Sequence, residues 1–250
     1  MSFYKYYHPD SFDFICVDGG VSIRFSQPEL LNDPFDSNLT NSGLNEKEVK
    51  KFKDSLIKMG MKPNEESFEK LKYEDPKITQ EKVNNYIKST YGILSLSKNG
   101  KSRTMWAYYS KDHAGFMINF KSIQNDELNI KFEEVKYSCE RPDYKNIESE
   151  NIEQSLFIKD KEWIHEDECR AIAELQHISS IKTDAKGYPI HSIILPSINI
   201  DSIVLGVRSD DILARKVKFW VKTHAPHVMI EKAVPCENDY KLKYESTLLR

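Results

Sequence analysis

No glycine-rich phosphate loop, no paired cysteines and no long apolar run occur in this 250-residue sequence. Each absence removes a class of function. Without GxGxxG or GxxxxGK[ST] there is no signal for a dinucleotide-binding turn or a P-loop, and without GxSxG or HExxH none for a nucleophile elbow or a zinc-protease helix. Cys16, Cys139, Cys169 and Cys236 form no C-x-x-C pair, which speaks against a zinc ribbon or thioredoxin-type centre and predicts reduced, partly buried thiols. Among the seven histidines none shows a metal spacing. His224 and His227 are three apart, but Pro226 between them predicts a structural role and no metal site. The start, MSFYKYYHPD, has no apolar segment, and no run approaches the ~18 apolar residues of a membrane span. The expectation is a soluble cytoplasmic protein with no membrane partner. An excess of charge of one sign is also missing: 36 Lys+Arg against 39 Asp+Glu leave a net −3. That argues against a generally cationic nucleic-acid coat protein and allows only a local basic patch.

What is present suffices for a core. Hydrophobic residues make up 39% and aromatics 11%, too much for a disordered chain, and at about 100–200 residues per domain the length fits one large domain or two small ones. FYKYY (residues 3–7) reads as a strand. Pro9-Asp10-Ser11 predicts the cap of a short helix covering Phe12, Phe14, Ile15 and Val17, stopped by Asp18-Gly19-Gly20. Val21, Ile23 and Phe25 alternate with Ser22 and Arg24 as in a half-buried strand, and residues 27–38 follow as a loop around Pro34. Residues 41–90, rich in Lys, Glu and Asn, predict a helical insertion on the surface or a mobile lid. Helices are expected there around Val49, Phe52 and Leu56, and again over Val83–Ile87. Beyond Tyr91 the pattern predicts a buried strand Ile93–Ser97, a short aromatic helix Thr104–Ser110 and a strand through Phe116, Ile118 and Phe120. Further expectations are a strand over Phe132–Tyr137 and a helix over Ile147–Lys161, where Ile152 and Leu156 lie four apart. Strands are expected at Glu166–Ala173, His191–Leu195 and Ile203–Leu205, then a helix Asp211–Lys222 with Leu213, Val217, Trp220 and Val221 on one face. Short strands interleaved with helices predict a mixed α+β fold, with mostly antiparallel central sheets and flanking helices in a single domain.

Three clusters carry candidate chemistry. In WIHEDECRAIAEL (residues 163–175) a strand from Glu166 would put Glu166, Glu168 and Arg170 on one face and Asp167, Cys169, Ala171 and Ala173 on the other. Two neighbouring carboxylates raise each other's pKa unless a cation offsets them, and Arg170 is that cation; a salt-bridged outer strand is the alternative. In LLNDPFDSN (residues 30–38) Asp33 and Asp36 can cap turns around Pro34, bind a cation or pin a ligand. In SRTMWAYYSKDHAGF (residues 102–116) Trp106, Tyr108 and Tyr109 are either core packing or a stacking platform.

The strings YKY, FSQPELLNDPFD, ILSLSK with MWAYYSKDHAGFMINF, K…W…E-x-E-x-R and SIVLGVR occur in the order seen in the bacterial family catalogued as domain of unknown function 2971. The chain resembles that family over nearly its whole length, with Asn41–Tyr91 as the variable part. A remoter likeness is to ADP-ribosyltransferases: YGILSLS, a following Ser/aromatic helix, GFMI, and an E-x-E string opening a later strand. That resemblance implies an ADP-ribosyltransferase-like fold and an NAD-consuming transferase or glycohydrolase, of the kind used as a bacterial defence or toxin effector, with no metal. Glu168 would steady the ribose oxocarbenium and Glu166 would position or deprotonate the acceptor, whether protein, nucleic acid or water. Trp106, Tyr108 or Tyr109 would sandwich the nicotinamide, with Ser97 at the end of the pocket strand. Lys5, Tyr6 and Arg24 would meet the rest of the NAD, and Asp33, Asp36 and Arg170 would contact substrate. Two other readings stand beside it: a non-catalytic ligand- or protein-binding sensor, and a Mg-dependent nuclease using Asp33, Asp36, Glu166 and Glu168 as oxygen ligands.

Overall fold

The computed structural model describes every residue except 1, 41, 43–46, 48–49, 52, 55–56, 58–75, 122, 124–129, 147–148 and 247–250. FYKYY forms strand β1 (Phe3–Tyr7). Helix α1 (Phe12–Ile15) is shorter than its apolar pattern predicts. Cys16–Val17 turns into strand β2 and hairpins through Gly19, at φ 75°, onto β3 (Gly20–Phe25), so Val17 is extended. The expected loop after β3 is interrupted by one 3-10 turn, Pro28–Leu30. Val49, Phe52 and Leu56 lie outside the described residues. Helix α2 (Pro76–Thr90) runs straight into β4 (Tyr91–Ser97). Ser102, whose hydroxyl accepts from Met105 N at 3.3 Å, caps α3 (Arg103–Tyr109), and β5 (Phe116–Phe120) follows.

The strand expected over Phe132–Tyr137 is broken at Val135 into β6 (Phe132–Glu134) and β7 (Lys136–Ser138). The helix expected over Ile147–Lys161 is replaced by a 3-10 segment (Ser149–Phe157), a short strand β8 (Ile158–Asp160) and a 3-10 turn (Lys161–Glu166). A single apolar pair four apart is too short a run to establish a helical period, so it could not separate an α-helix from a series of 3-10 turns. After these come β9 (Glu168–Glu174), β10 (Ser180–Thr183), β11 (Pro189–Pro196), β12 (Ile200–Leu205), helix α4 (Asp211–His224), β13 (Met229–Pro235) and β14 (Leu242–Ser246).

Eight strands make the main sheet, in the order β14-β13-β12-β5-β1-β4-β9-β6, antiparallel throughout except for β12 with β13. A second antiparallel sheet, β10-β11-β3-β2, touches the first through the Ser26–Ile93 bridge, and β7 and β8 form a small parallel pair. Alternation decides which side chains meet. Val21, Ile23 and Phe25 of the second sheet bury against Leu94, Leu96, Phe116, Ile118 and Phe120 of the first, and α4 closes this core with Leu213, Val217, Trp220 and Val221. On the opposite face Met105 and Trp106 of α3 pack on Tyr6, Met117 and Val204. Ile87 of α2 joins Leu39, Tyr91, Ile93 and Leu156 in a third cluster. The result is a mixed α+β domain of mainly antiparallel sheets with flanking helices. Among the described residues no helix is long and apolar enough to cross a membrane.

Candidate active site

The main sheet is continuous except at one seam. Strand β1 pairs with β5 from Phe3–Phe120 to Tyr7–Phe116, but with β4 only through Tyr4 opposite Ser97. Lys5 reaches across the opened seam and donates from Nζ to the Ser95 carbonyl at 2.7 Å. On the other side of β4 the register sets Ser97 opposite Glu168 and Ser95 opposite Arg170, so these four side chains share one face. They form the floor of a cleft of about 240 Å³, whose walls include Leu31, Met105 and Tyr109.

Glu166 reaches the same cleft by a different route from the one expected. It is not in the strand. The 3-10 turn Lys161–Glu166 ends at Asp167, which sits in the left-handed region at φ 43°, and only then does β9 begin. The kink swings Glu166 back toward Glu168, and both carboxylates close on Lys159, whose Nζ donates to Glu166 Oε2 at 2.5 Å and Glu168 Oε2 at 3.0 Å. Arg170 spends its donors within the protein: Nε on Glu168 Oε1 (2.7 Å), Nη1 on Asp36 Oδ1 (2.9 Å) and the Leu156 carbonyl (2.5 Å), and Nη2 on Asp36 Oδ2 (2.5 Å) and Glu168 Oε2 (3.2 Å). The other Glu166 oxygen accepts the Tyr109 hydroxyl, which itself accepts from Asn32 Nδ2 at 2.8 Å. The Lys159 ammonium also lies 5.1 Å from the Trp163 ring centre, within reach of a cation–π attraction.

This arrangement separates the two carboxylates electrostatically. Burial alone would raise Glu168, but Arg170 and Lys159 outweigh it and hold the carboxyl down to about 2, ionised at any working pH. For Glu166 burial outweighs the pull of Lys159, and the negative Glu168 adds to it, so its pKa is raised. Lys5 is half-buried, and desolvation of its ammonium lowers its pKa to about 8 against the pull of Glu168 and Glu166. Neighbouring carboxyl groups pushed in opposite directions are the arrangement in which one acts as a fixed anion and the other exchanges a proton.

No family model, no curated protein and no solved structure matches this chain. The assignment of roles therefore rests on the placement of residues.

Of the expected site residues, Lys5, Tyr6, Ser97, Tyr109, Glu166, Glu168 and Arg170 line the cleft. Tyr6 gives its hydroxyl to the Asn99 carbonyl at 2.8 Å, and Ser97 gives its own to the Glu166 carbonyl at 2.6 Å, so both shape the cleft wall. Six assignments change. Trp106 is wholly buried in the core, its Nε1 donating to Tyr244 Oη at 3.2 Å, and walls no ligand site. Tyr108 points outward, 66% exposed, because two residues along a helix from Trp106 is the far side of the cylinder. Arg24 belongs to the second sheet and pairs with Asp184 at 3.1 Å. Asp33 accepts the Phe35 amide at 2.9 Å as a turn cap, while Asp36 is clamped behind the floor by Arg170. Neither aspartate is free for substrate, and Arg170 is not either. Of the four oxygen ligands in the nuclease reading, Asp36, Glu166 and Glu168 face Lys159 and Arg170, and Asp33 caps its turn. Among the described residues no group of three or more His, Cys, Asp or Glu side chains is placed to hold a metal ion.

The central cation, Lys159, was not singled out from the sequence. A lysine seven residues before Glu166 carries no periodic signal, because the two residues are joined by a 3-10 turn. Asn32, Ser95 and Met105 were missed too, the last two because they read as ordinary strand and helix residues.

Proposed function

We propose that the cleft breaks the bond between nicotinamide and ribose in NAD, making the chain an ADP-ribosyltransferase-like or NAD-glycohydrolase enzyme. The observation that carries this reading is Glu168: a carboxylate kept ionised by Arg170 and Lys159 on the floor of an aromatic-walled cleft, one residue beyond the left-handed kink that brings Glu166 beside it. The order of neighbouring strands supports the likeness in fold. β1 carries Lys5, β4 ends at Ser97 before the aromatic helix α3, and β9 opens on Glu168, side by side in the sheet. The strings that resemble the domain-of-unknown-function family also meet here: Leu31 and Asn32, Ser95 and Ser97, Met105 and Tyr109, and the E-x-E-x-R residues all line the one cleft.

In the proposed step the C1′–N bond of the ribosyl nicotinamide breaks, and its electron pair goes to the ring nitrogen, which loses its positive charge. Positive charge then builds on C1′ and the ring oxygen, as in glycoside hydrolysis. Glu168, held through the ribose hydroxyls, stabilises that charge in the transition state, where stabilisation accelerates the reaction. An acceptor oxygen forms the new bond to C1′ and its proton passes to Glu166, whose raised pKa suits it to general-base work. Tyr109 supplies the flat wall beside the nicotinamide, and Lys5 faces the first phosphate.

The test is incubation with NAD labelled in the nicotinamide ring. The parent should release labelled nicotinamide, and Glu168→Gln should lower the rate by about 10²–10⁴-fold. Equal rates in the two proteins would overturn the role of Glu168. A ligand-sensing module is the second reading, favoured by the matching of each floor carboxylate to a cation; saturable NAD binding to the parent without any release would establish it in place of catalysis.

A further inference from the structure

Away from the cleft, a surface groove of about 550 Å³ lies between the N-terminal end of α3, the Val207–Arg208 turn and the segment Pro235–Leu242. Its chemistry is cationic and aromatic. Arg103 lies over the Tyr240 ring, its guanidinium carbon 5.6 Å from the ring centre, and Tyr240 is 87% exposed. Arg208 reaches only the Asp112 carbonyl, at 3.4 Å. Among the described residues neither guanidinium meets a carboxylate, whereas Lys241 is paired with Asp239 at 2.9 Å. Glu237 is the remaining acid on the groove wall.

His113 lines the same groove, and the backbone that carries it is strained. Lys111, Asp112 and His113 are consecutive non-glycine residues at φ 50°, 52° and 68°, a conformation that L-residues adopt singly and at a cost of roughly 1–2 kcal/mol each. The turn that follows β12 holds this conformation in place: Arg208 N donates to the His113 carbonyl at 2.9 Å, and Gly206 lies so close that a Cβ there would fall 2.2 Å from the same oxygen. The imidazole is laid parallel to Trp106, with 6.3 Å between ring centres, and its buried Nδ1 has no partner. Burial and then the fields of Arg208 and Arg103 favour its neutral form. Backbone strain held in place by its surroundings recurs at ligand sites.

We propose that this groove is a second ligand site, separate from the cleft, which takes a phosphorylated aromatic molecule of the nucleoside monophosphate type. Arg103 and Arg208 receive the phosphate oxygens, His113 offers a ring nitrogen to the same group, and the base stacks on Tyr240. A phosphate in the groove gives each arginine the charge-assisted partner it lacks.

The experiment follows the His113 imidazole of the full chain by NMR while adenosine monophosphate, and separately inorganic phosphate, is titrated in. Both probes should move the His113 signals saturably. Arg208→Ala should weaken each probe about 10-fold or more. Tyr240→Ala should weaken adenosine monophosphate several-fold and leave inorganic phosphate unchanged. Absence of any His113 shift at millimolar probe would overturn the proposal, as would an affinity unchanged in an Arg103→Ala, Arg208→Ala double variant that keeps the parent's circular dichroism. Shifts confined to Tyr109 and Trp163 would assign the nucleotide to the cleft and reject the groove. No arm depends on NAD turnover, so failure here leaves the reading of the cleft untouched.

Discussion

Successive residues of β9 are equally shielded from water yet face opposite chemistries. Glu168 and Arg170 are 4% and 0% exposed; Cys169 and Ala171, on the other face, are 4% and 0% exposed. Ala171 joins the apolar core between the two sheets, where burial stabilises at about 25 cal/mol per Å². The other face buries Asp36, Lys159, Glu168 and Arg170 together, and each buried ion carries a desolvation penalty of several kcal/mol before its partners offset it. An apolar cluster of similar volume would serve stability at least as well. Stability alone therefore does not account for the charges, and the core side of the same strand supplies the control.

Removing the buried guanidinium of Arg170 should separate the faces most sharply. Arg170→Met leaves Asp36 and Glu168 buried without their guanidinium, and denaturant unfolding should show a loss of about 3–5 kcal/mol. A loss below 1 kcal/mol would mean that water already screens the pair. Acid titration gives the next effect. In the folded chain Glu168 takes up its proton only near 2, against 4.5 for an ordinary glutamate. Between those values the unfolded chain holds more protons, so stability falls as the pH drops through that window and is fully present above it. Glu168→Gln should flatten this part of the stability curve, and an unchanged slope would reassign the acid sensitivity to another group. The smallest effect belongs to the core face: Cys169→Ala should lower stability by about 1 kcal/mol and leave nicotinamide release per folded molecule unaltered. A changed rate would show that the two faces are not independent.

Elements with a full alternating or helical face were legible from the sequence. β3 and β5 alternate as expected, and α4 buries the four residues its spacing selects, because there the apolar side chains repeat with the period of the backbone; β1 and β12 were legible from their strand-forming residues instead. The segment between Ile147 and Glu166 was not legible, since 3-10 turns and a three-residue strand are too short to establish a period. The site was half legible. E-x-E-x-R reads directly, but its geometry depends on the left-handed Asp167; aspartate enters that region more readily than most residues, yet it does so too rarely to mark the position. Tyr109 and Tyr108 look alike in MWAYY; which of them faces the cleft is fixed by how α3 docks through Met105 and Trp106.

The single rung between β1 and β4 has a mechanical meaning. Five strands on one side and three on the other form two plates joined by the Tyr4–Ser97 pair and by the ammonium of Lys5. Anything lodged in the gap between them would act as a rivet, tying the plates together at the place where the backbone ladder does not.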